Sequence, residues 1–98
     1  MMYTLRMFTE IYCVVTGRVQ GVGYRDFIDT YAKEETLTGW VKNNPNGSVE
    51  VLLQGTPDAL KACIEIVNEG SILSKVTGLT VDWRTPKQLF DSFKVISS

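Results

Sequence analysis

The sequence contains no histidine, only two cysteines and no surplus of either charge. Without histidine, neither a Ser-His-Asp triad nor a Cys-His pair can form. Histidine-ligated zinc is excluded as well, and two cysteines are too few for a structural zinc site. We therefore expect no metal site, and any chemistry must use carboxylates, arginine, lysine, amides, hydroxyls or backbone N–H groups.

Charge and hydropathy limit the possible partners. Ten basic and eleven acidic residues give a formal net charge of -1, which disfavours a strongly basic nucleic-acid binder. No apolar run reaches the roughly 18–20 residues of a membrane span. The segment Met1–Thr9 lacks the apolar core of a signal peptide. We expect a cytoplasmic protein that binds neither nucleic acid nor membranes.

Length and composition are typical of one small globular domain. The 98 residues are 44% hydrophobic and 21% charged, so we expect a single domain over 1–98, with 1–9 as a flexible amino-terminal extension. A monomer is expected. Cys13 and Cys63 lie in apolar stretches and are predicted to be reduced, buried thiols, although the sequence alone leaves a disulfide between them open.

The spacing of apolar residues predicts the order β-α-β-β-α-β. Alternation, or a run of β-branched and aromatic residues, predicts strands at 10–16, 37–42, 48–54 and 76–83 and a last one around Phe93 and Val95. Spacings of three and four predict one helix from Tyr24 and a second from Pro57, with Thr56 as the N-cap of the second and Gly70 after its last turn. This order is the α+β, ferredoxin-like split β-α-β plan, an antiparallel sheet with two helices on one face. Region 76–96 contains two of these predicted strands and therefore allows one strand pairing more than this order has. The topology hosts many functions and decides none of them.

A glycine-rich loop between the first strand and the first helix is the strongest local feature. It reads Gly17-Arg18-Val19-Gln20-Gly21-Val22-Gly23 and leads directly into Tyr24 and Arg25. Glycines let successive backbone N–H groups face one concavity, and the helix that follows adds unpaired donors. With Arg18 and Arg25, the loop predicts a cradle for one phosphoryl-like anion. The glycine spacing alone also fits a tight turn, and it matches neither a Walker A loop nor a dinucleotide fingerprint.

An amide-rich segment begins the predicted hairpin. Asn43 and Asn44 precede Pro45, and Asn46 precedes Gly47. An asparagine beside an anion site can hold a water without titrating, because the amide both donates and accepts hydrogen bonds. Asparagine is also a common turn former, so both interpretations remain open from these residues alone.

Two stretches together resemble the acylphosphatase family. The first is Val15-Thr16-Gly17-Arg18-Val19-Gln20-Gly21-Val22-Gly23-Tyr24-Arg25, and the second is Gly39-Trp40-Val41-Lys42-Asn43 followed by Gly47, Val49-Glu50 and Gly55. The resemblance covers Glu10 to the carboxyl end and implies the fold predicted above.

The resemblance implies hydrolysis of acyl phosphates to a carboxylate and inorganic phosphate, without a metal or cofactor. It implies that Arg25 is the catalytic arginine that binds the phosphoryl oxygens and that Asn43 orients the attacking water. The phosphate-binding loop would consist of Arg18, Val19, Gln20, Gly21, Val22, Gly23 and Tyr24. Asn44 and Asn46 match no catalytic position.

Two departures from the family pattern bear on structure. Tyr24 stands where phenylalanine is usual and adds a hydroxyl at the exit of the loop. Thr36 replaces a glycine between the first helix and the second strand, where threonine in a left-handed conformation would be strained.

Two rival functions remain in view. A non-catalytic anion-binding or regulatory module on the same fold would keep the cradle but would need no ordered water. An RNA-binding domain of the RRM type would need strand-borne aromatic residues and usually a basic surface, which the net charge of -1 disfavours.

Overall fold

The computed structural model describes residues 8–97. Two helices and five strands follow one another as β-α-β-β-α-β-β, which confirms the predicted order and adds the extra strand in region 76–96. The strands are β1 (Thr9–Arg18), β2 (Thr38–Asn43), β3 (Val49–Gly55), β4 (Lys75–Arg84) and β5 (Phe93–Ile96), and the helices are α1 (Tyr24–Glu34) and α2 (Pro57–Glu69). Of the predicted flexible extension over 1–9, residues 1–7 lie outside the described residues, and Thr9 is the first residue of β1.

The sheet has the strand order β4-β1-β3-β2-β5. β1 pairs antiparallel with β3 and β4, and β2 pairs antiparallel with β3. The ferredoxin-like α+β fold is therefore confirmed, with one difference: β5 lies parallel to β2, so the sheet is mixed. The reason is that residues 85–92 return across the sheet, which makes β5 run opposite to β4 and in the direction of β2.

Alternate residues of the central strands build the core. Ile11, Cys13 and Val15 of β1 lie opposite Leu53, Val51 and Val49 of β3, and all six are fully buried. The predicted helical stripes pack against this face through Tyr24, Ile28 and Ala32 of α1 and Leu60, Cys63 and Val67 of α2. Each fully buried aliphatic side chain contributes about 1.5–3 kcal/mol, so this layer holds both helices against the sheet.

The two cysteines are free, buried thiols, as predicted. Burial raises the pKa of Cys13 and of Cys63 to about 12. Since the thiolate is the reactive form, both side chains are unreactive at neutral pH and serve as packing.

Helix α2 begins and ends at the residues that the sequence predicts. The Thr56 side chain accepts a hydrogen bond from the Ala59 N–H at 3.3 Å, and Gly70 follows the last turn with φ +79°. Within residues 8–97, no helix is long and apolar enough to cross a membrane.

Gln54 holds the crossing segment 85–92 on the sheet. Its amide nitrogen donates to the Gln88 carbonyl oxygen at 2.6 Å and to a Glu10 carboxylate oxygen at 2.8 Å. Its amide oxygen accepts from the Phe90 N–H at 3.0 Å. The Gln54 side chain is buried, and its hydrogen bonds fix the path of the chain from β4 to β5.

Thr36 follows Glu35, the C-cap of α1, and has a left-handed conformation with φ +54°. Its N–H donates to the Lys33 carbonyl at 3.2 Å, and the Leu37 N–H donates to the Ala32 carbonyl at 2.8 Å. This is the Schellman arrangement, in which the left-handed position usually holds glycine. A β-branched residue there is strained, as the sequence predicted.

Thr36→Gly is therefore expected to stabilise the protein by about 1 kcal/mol, because relief of strain outweighs the extra freedom of glycine in the unfolded chain. Urea unfolding measures the change. Thr30→Gly is the matched control, since Thr30 is exposed within α1, and glycine there should destabilise the helix. Destabilisation by both substitutions would contradict the assignment of strain to Thr36.

Candidate active site

The strand that leads into the glycine-rich loop is longer than predicted. β1 continues through Gly17 to Arg18, with a bulge between Thr16 and Gly17 in its pairing with β4. Gly17 is thus a strand residue with φ +122°, and a Cβ at this position would lie 2.1 Å from the Lys75 carbonyl oxygen. Glycine is required here because β4 approaches the backbone so closely.

Gly21 and Gly23 shape the loop that remains. Both have left-handed backbones, with φ +73° and +77°, and a Cβ at either would meet nothing within 4 Å. Their glycine character therefore serves backbone conformation and not close packing. Gly23 is the N-cap of α1 and offers no side-chain cap, so the first N–H groups of the helix are available to an anion.

The loop, the start of α1 and the end of β2 enclose a cavity of about 200 Å³. Its lining residues are Val19, Gly21, Gly23, Tyr24, Arg25, Asp26 and Asn43. The two predicted catalytic residues, which are 18 positions apart in the chain, thus line one cavity. Among the predicted loop residues, Arg18, Gln20 and Val22 do not line it. A larger cavity of about 330 Å³ beside Trp40 and Phe90 contains neither Arg25 nor Asn43.

Arg25 is the second residue of α1 and is half-buried. Its Nη1 donates to the carbonyl oxygen of Ile96, at the end of β5, at 3.0 Å. A guanidinium carries five N–H donors in a planar fork, so this bond orients the group and leaves the other donors for a ligand. The sequence held no sign of this contact, because Ile96 follows Arg25 by 71 residues.

Asn43 is the last residue of β2 and pairs with Val49 across the hairpin. Its Oδ1 is buried and accepts no hydrogen bond within residues 8–97. A buried acceptor without a partner costs about 1–3 kcal/mol, and such groups usually mark a functional position or an ordered water. The side chain thus presents an acceptor at the cavity wall.

Comparison with known proteins identifies the family to which this arrangement belongs. The family model described as acylphosphatase matches residues 11–95. An acylphosphatase from Salinibacter ruber is 43% identical over 83% of this chain and 85% of its own length. The solved acylphosphatase structures from Coxiella burnetii and Bacillus subtilis superpose with TM-scores of 0.91 and 0.87, at 31% and 39% identity, and they cover 98% and 90% of this chain and 100% and 98% of their own.

The chain belongs to the acylphosphatase family. This confirms the resemblance drawn from the two sequence stretches and, with it, the prediction of a hydrolase. Both stretches of the acylphosphatase signature contribute to the cavity lining: Val19, Gly21, Gly23, Tyr24 and Arg25 come from the first stretch and Asn43 from the second.

In this acylphosphatase chain the other asparagines of the hairpin bond within the turn. The Asn44 amide donates to the Ser48 hydroxyl at 2.9 Å, and Asn46 Oδ1 accepts from the Ser48 N–H at 3.0 Å. Neither side chain lines the cavity. The side chains of Asn44 and Asn46 are therefore occupied as turn formers.

Charged side chains of both signs lie at or near the acylphosphatase cavity. Arg18 lies at the exposed end of β1, opposite Lys75, and does not line the cavity. Asp26, in the first turn of α1, lines the cavity as well and was not among the predicted site residues. Within residues 8–97, no three acidic or cysteine side chains cluster as candidate metal ligands.

Tyr24, where the acylphosphatase pattern usually has phenylalanine, ties the loop exit to α2. Its buried hydroxyl donates to the Val67 carbonyl at 2.6 Å. The N–H four residues after Val67, that of Ser71, instead donates to the Ser74 hydroxyl at 2.7 Å. Tyr24 therefore satisfies a carbonyl that the helix end leaves free. Burial raises the pKa of this phenol, so it stays a donor at neutral pH.

Tyr24→Phe is expected to destabilise the protein by about 1–3 kcal/mol, because a buried carbonyl loses its partner while the ring remains packed. The free energy of unfolding in urea measures this loss. Turnover should stay close to that of the unmodified protein, since the hydroxyl is directed toward α2. Tyr31→Phe, on the same helix but only partly buried, is the control. Equal stability of Tyr24→Phe and the unmodified protein would contradict the anchoring role.

Proposed function

We propose that this chain hydrolyses the carboxyl–phosphate bond of acyl phosphates to a carboxylate and inorganic phosphate, without a metal or cofactor. The observation that carries the proposal is the shared cavity, in which a half-buried arginine, left-handed glycines and an asparagine oxygen with no hydrogen-bond partner among the described residues meet. The names of the relatives support the same reaction.

The phosphoryl group binds at the cradle side of the cavity. Arg25 matches two phosphoryl oxygens with its planar fork, and backbone N–H groups of Gly21 to Arg25 bind the others. Phosphoryl transfer spreads charge over the equatorial oxygens. Donors fixed in place before the reaction therefore stabilise the transition state more than the ground state.

Water attacks phosphorus from the Asn43 side. The Asn43 Oδ1 accepts a hydrogen bond from this water and holds it in line with the leaving carboxylate. No side chain needs to act as general base, because the dianionic phosphoryl group can accept the proton of the water. The leaving carboxylate is a weak base and needs little acid assistance, so the absence of histidine is no obstacle.

The alternative of a non-catalytic anion-binding module is not favoured. Such a module would use the cradle alone. The buried Asn43 oxygen, which has no partner within residues 8–97, would then only lower its stability. The relatives that match most of the chain are named as acylphosphatases, which also favours the enzyme.

We further propose a cytoplasmic monomer that binds no nucleic acid. The net charge of -1 supplies no basic surface for phosphate backbones. Two buried, free thiols suit a reducing compartment.

The test is phosphate release from acetyl phosphate and benzoyl phosphate by the purified protein in the presence of EDTA. We expect saturable turnover, with ethyl phosphate not hydrolysed because alkoxide is a poor leaving group. In ¹⁸O-labelled water, attack at phosphorus places the label in the inorganic phosphate, whereas attack at the acyl carbon would place it in the carboxylate. Binding of phosphate without turnover would favour the regulatory module, and label in the carboxylate would overturn the role of Asn43.

A further inference from the structure

The side chain of Gln20 joins the glycine-rich loop to the β2–β3 hairpin. Its Nε2 donates to the Asn44 carbonyl oxygen and to the Ser48 carbonyl oxygen, each at 2.8 Å. These two carbonyls lie on opposite sides of the hairpin. Each also accepts a backbone hydrogen bond within the turn: the Asn44 N–H donates to the Ser48 oxygen, and the Gly47 N–H donates to the Asn44 oxygen. One amide thus bridges both sides of the turn.

This bridge lies next to both halves of the candidate active site. On the loop side, Gln20 is followed by Gly21, which lines the cavity. On the hairpin side, Asn44 and Ser48 directly adjoin Asn43 and Val49, the last paired residues of β2 and β3. The loop and the hairpin are separate segments, so the bridge sets the distance between the cradle and Asn43.

We propose that Gln20 is a positioning residue that aligns the water held by Asn43 with the phosphoryl group in the cradle. A primary amide nitrogen carries two N–H donors, and both are occupied by hairpin carbonyls. The amide nitrogen therefore cannot bind phosphate, although Gln20 belongs to the predicted phosphate-binding loop. This inference rests on the proposed hydrolysis.

Gln20→Met tests the bridge, because methionine has a similar length and no donor. We expect kcat with acetyl phosphate to fall about 10- to 100-fold, the scale for a misplacement of roughly 1 Å. The Kd of inorganic phosphate, measured by calorimetry, should change by less than about two-fold, because the cradle keeps its donors. Gln54→Met is the matched control: it removes a buried amide that bonds Gln88 and Glu10, and it should lower stability while kcat is retained.

A double-mutant cycle separates positioning from general structural support. If Gln20 acts through Asn43, Gln20→Met should lower kcat by less than about two-fold when Asn43 is already alanine. Three results would each overturn the proposal. The first is a kcat that Gln20→Met leaves unchanged, and the second is a large loss of phosphate affinity in that variant. The third is a double variant whose loss of kcat equals the product of the losses in Gln20→Met and Asn43→Ala. Absence of turnover in the unmodified protein would overturn the hydrolysis and this role together, whereas an active protein with an unaffected Gln20→Met variant would overturn the bridge alone.

Discussion

Replacing Arg25 by alanine is expected to lower kcat/KM for acetyl phosphate at least about 100-fold, which is the scale for removing one key oxyanion donor. Arg25 is the only basic side chain that lines the cavity formed by the described residues. Its loss removes both a charge and the fork that fits two phosphoryl oxygens. Both kcat and phosphate affinity should fall, because the group binds oxygens in the ground state and more tightly in the transition state.

Arg25→Lys separates charge from geometry. Lysine keeps the positive charge but lacks the planar fork, so it cannot both donate to the Ile96 carbonyl and present two parallel donors to phosphate. We expect it to recover phosphate affinity in part and kcat poorly. Steady-state kinetics with acetyl and benzoyl phosphate, together with phosphate calorimetry, measure the two effects.

The control for Arg25 is Arg84→Ala. Arg84 pairs with Asp82 and stacks over Tyr12, and it lines no part of the cavity. Its loss should leave kcat/KM within about two-fold, because Arg84 lies outside the cavity and because an exposed ion pair contributes little to the stability of the fold. Turnover of Arg25→Ala equal to that of the unmodified protein would contradict the assignment.

Local patterns were sufficient to predict most of the fold. Alternation in β1 and β3, the spacing of Tyr24, Ile28 and Ala32 in α1, and the caps of α2 all act over a few residues, and the structure confirms them. The strain at Thr36 was predicted instead from the family pattern, which usually has glycine at this position, and the left-handed backbone of Thr36 agrees with it. Local chemistry determines these features, so the sequence reveals them.

Contacts between distant segments were not predictable in the same way. The bonds from Arg25 to Ile96, from Gln20 to the hairpin and from Tyr24 to Val67 join residues 24 to 71 positions apart. Each depends on how the loop, the helices and β5 meet in space. The parallel pairing of β5 with β2 is another such case. The candidate site was therefore predictable in its residue types but not in what holds those residues in place.

The cavity lining shows which groups are available for chemistry in a chain that has no histidine. The wall combines the Arg25 cation, the Asp26 carboxylate, backbone N–H donors and the Asn43 amide oxygen, which accepts no hydrogen bond from the described residues. Positioning and fixed dipoles are what phosphoryl transfer requires.

Asn43→Ala is expected to lower kcat about 100-fold with little change in the Kd of inorganic phosphate, because it removes the group that orients water while the cradle stays intact. Stability should move in the opposite direction to activity. The Asn43 Oδ1 is buried and accepts no hydrogen bond from the part of the chain that the structure describes, so its removal should leave the free energy of unfolding unchanged or raise it by up to about 1 kcal/mol. Kinetics, phosphate calorimetry and urea unfolding measure the three quantities.

Asn46→Ala is the matched control for Asn43. The Asn46 side chain accepts hydrogen bonds from the Ser48 N–H and hydroxyl at 3.0 and 2.7 Å, so its removal should cost stability and spare kcat. Asn43→Asp adds a second test: a carboxylate at the cavity wall keeps an acceptor but repels the dianionic phosphoryl group, and phosphate affinity should fall. If Asn43→Ala instead lost much stability and kept its kcat, Asn43 would be a turn former like its neighbours. That result would contradict its role in orienting the attacking water.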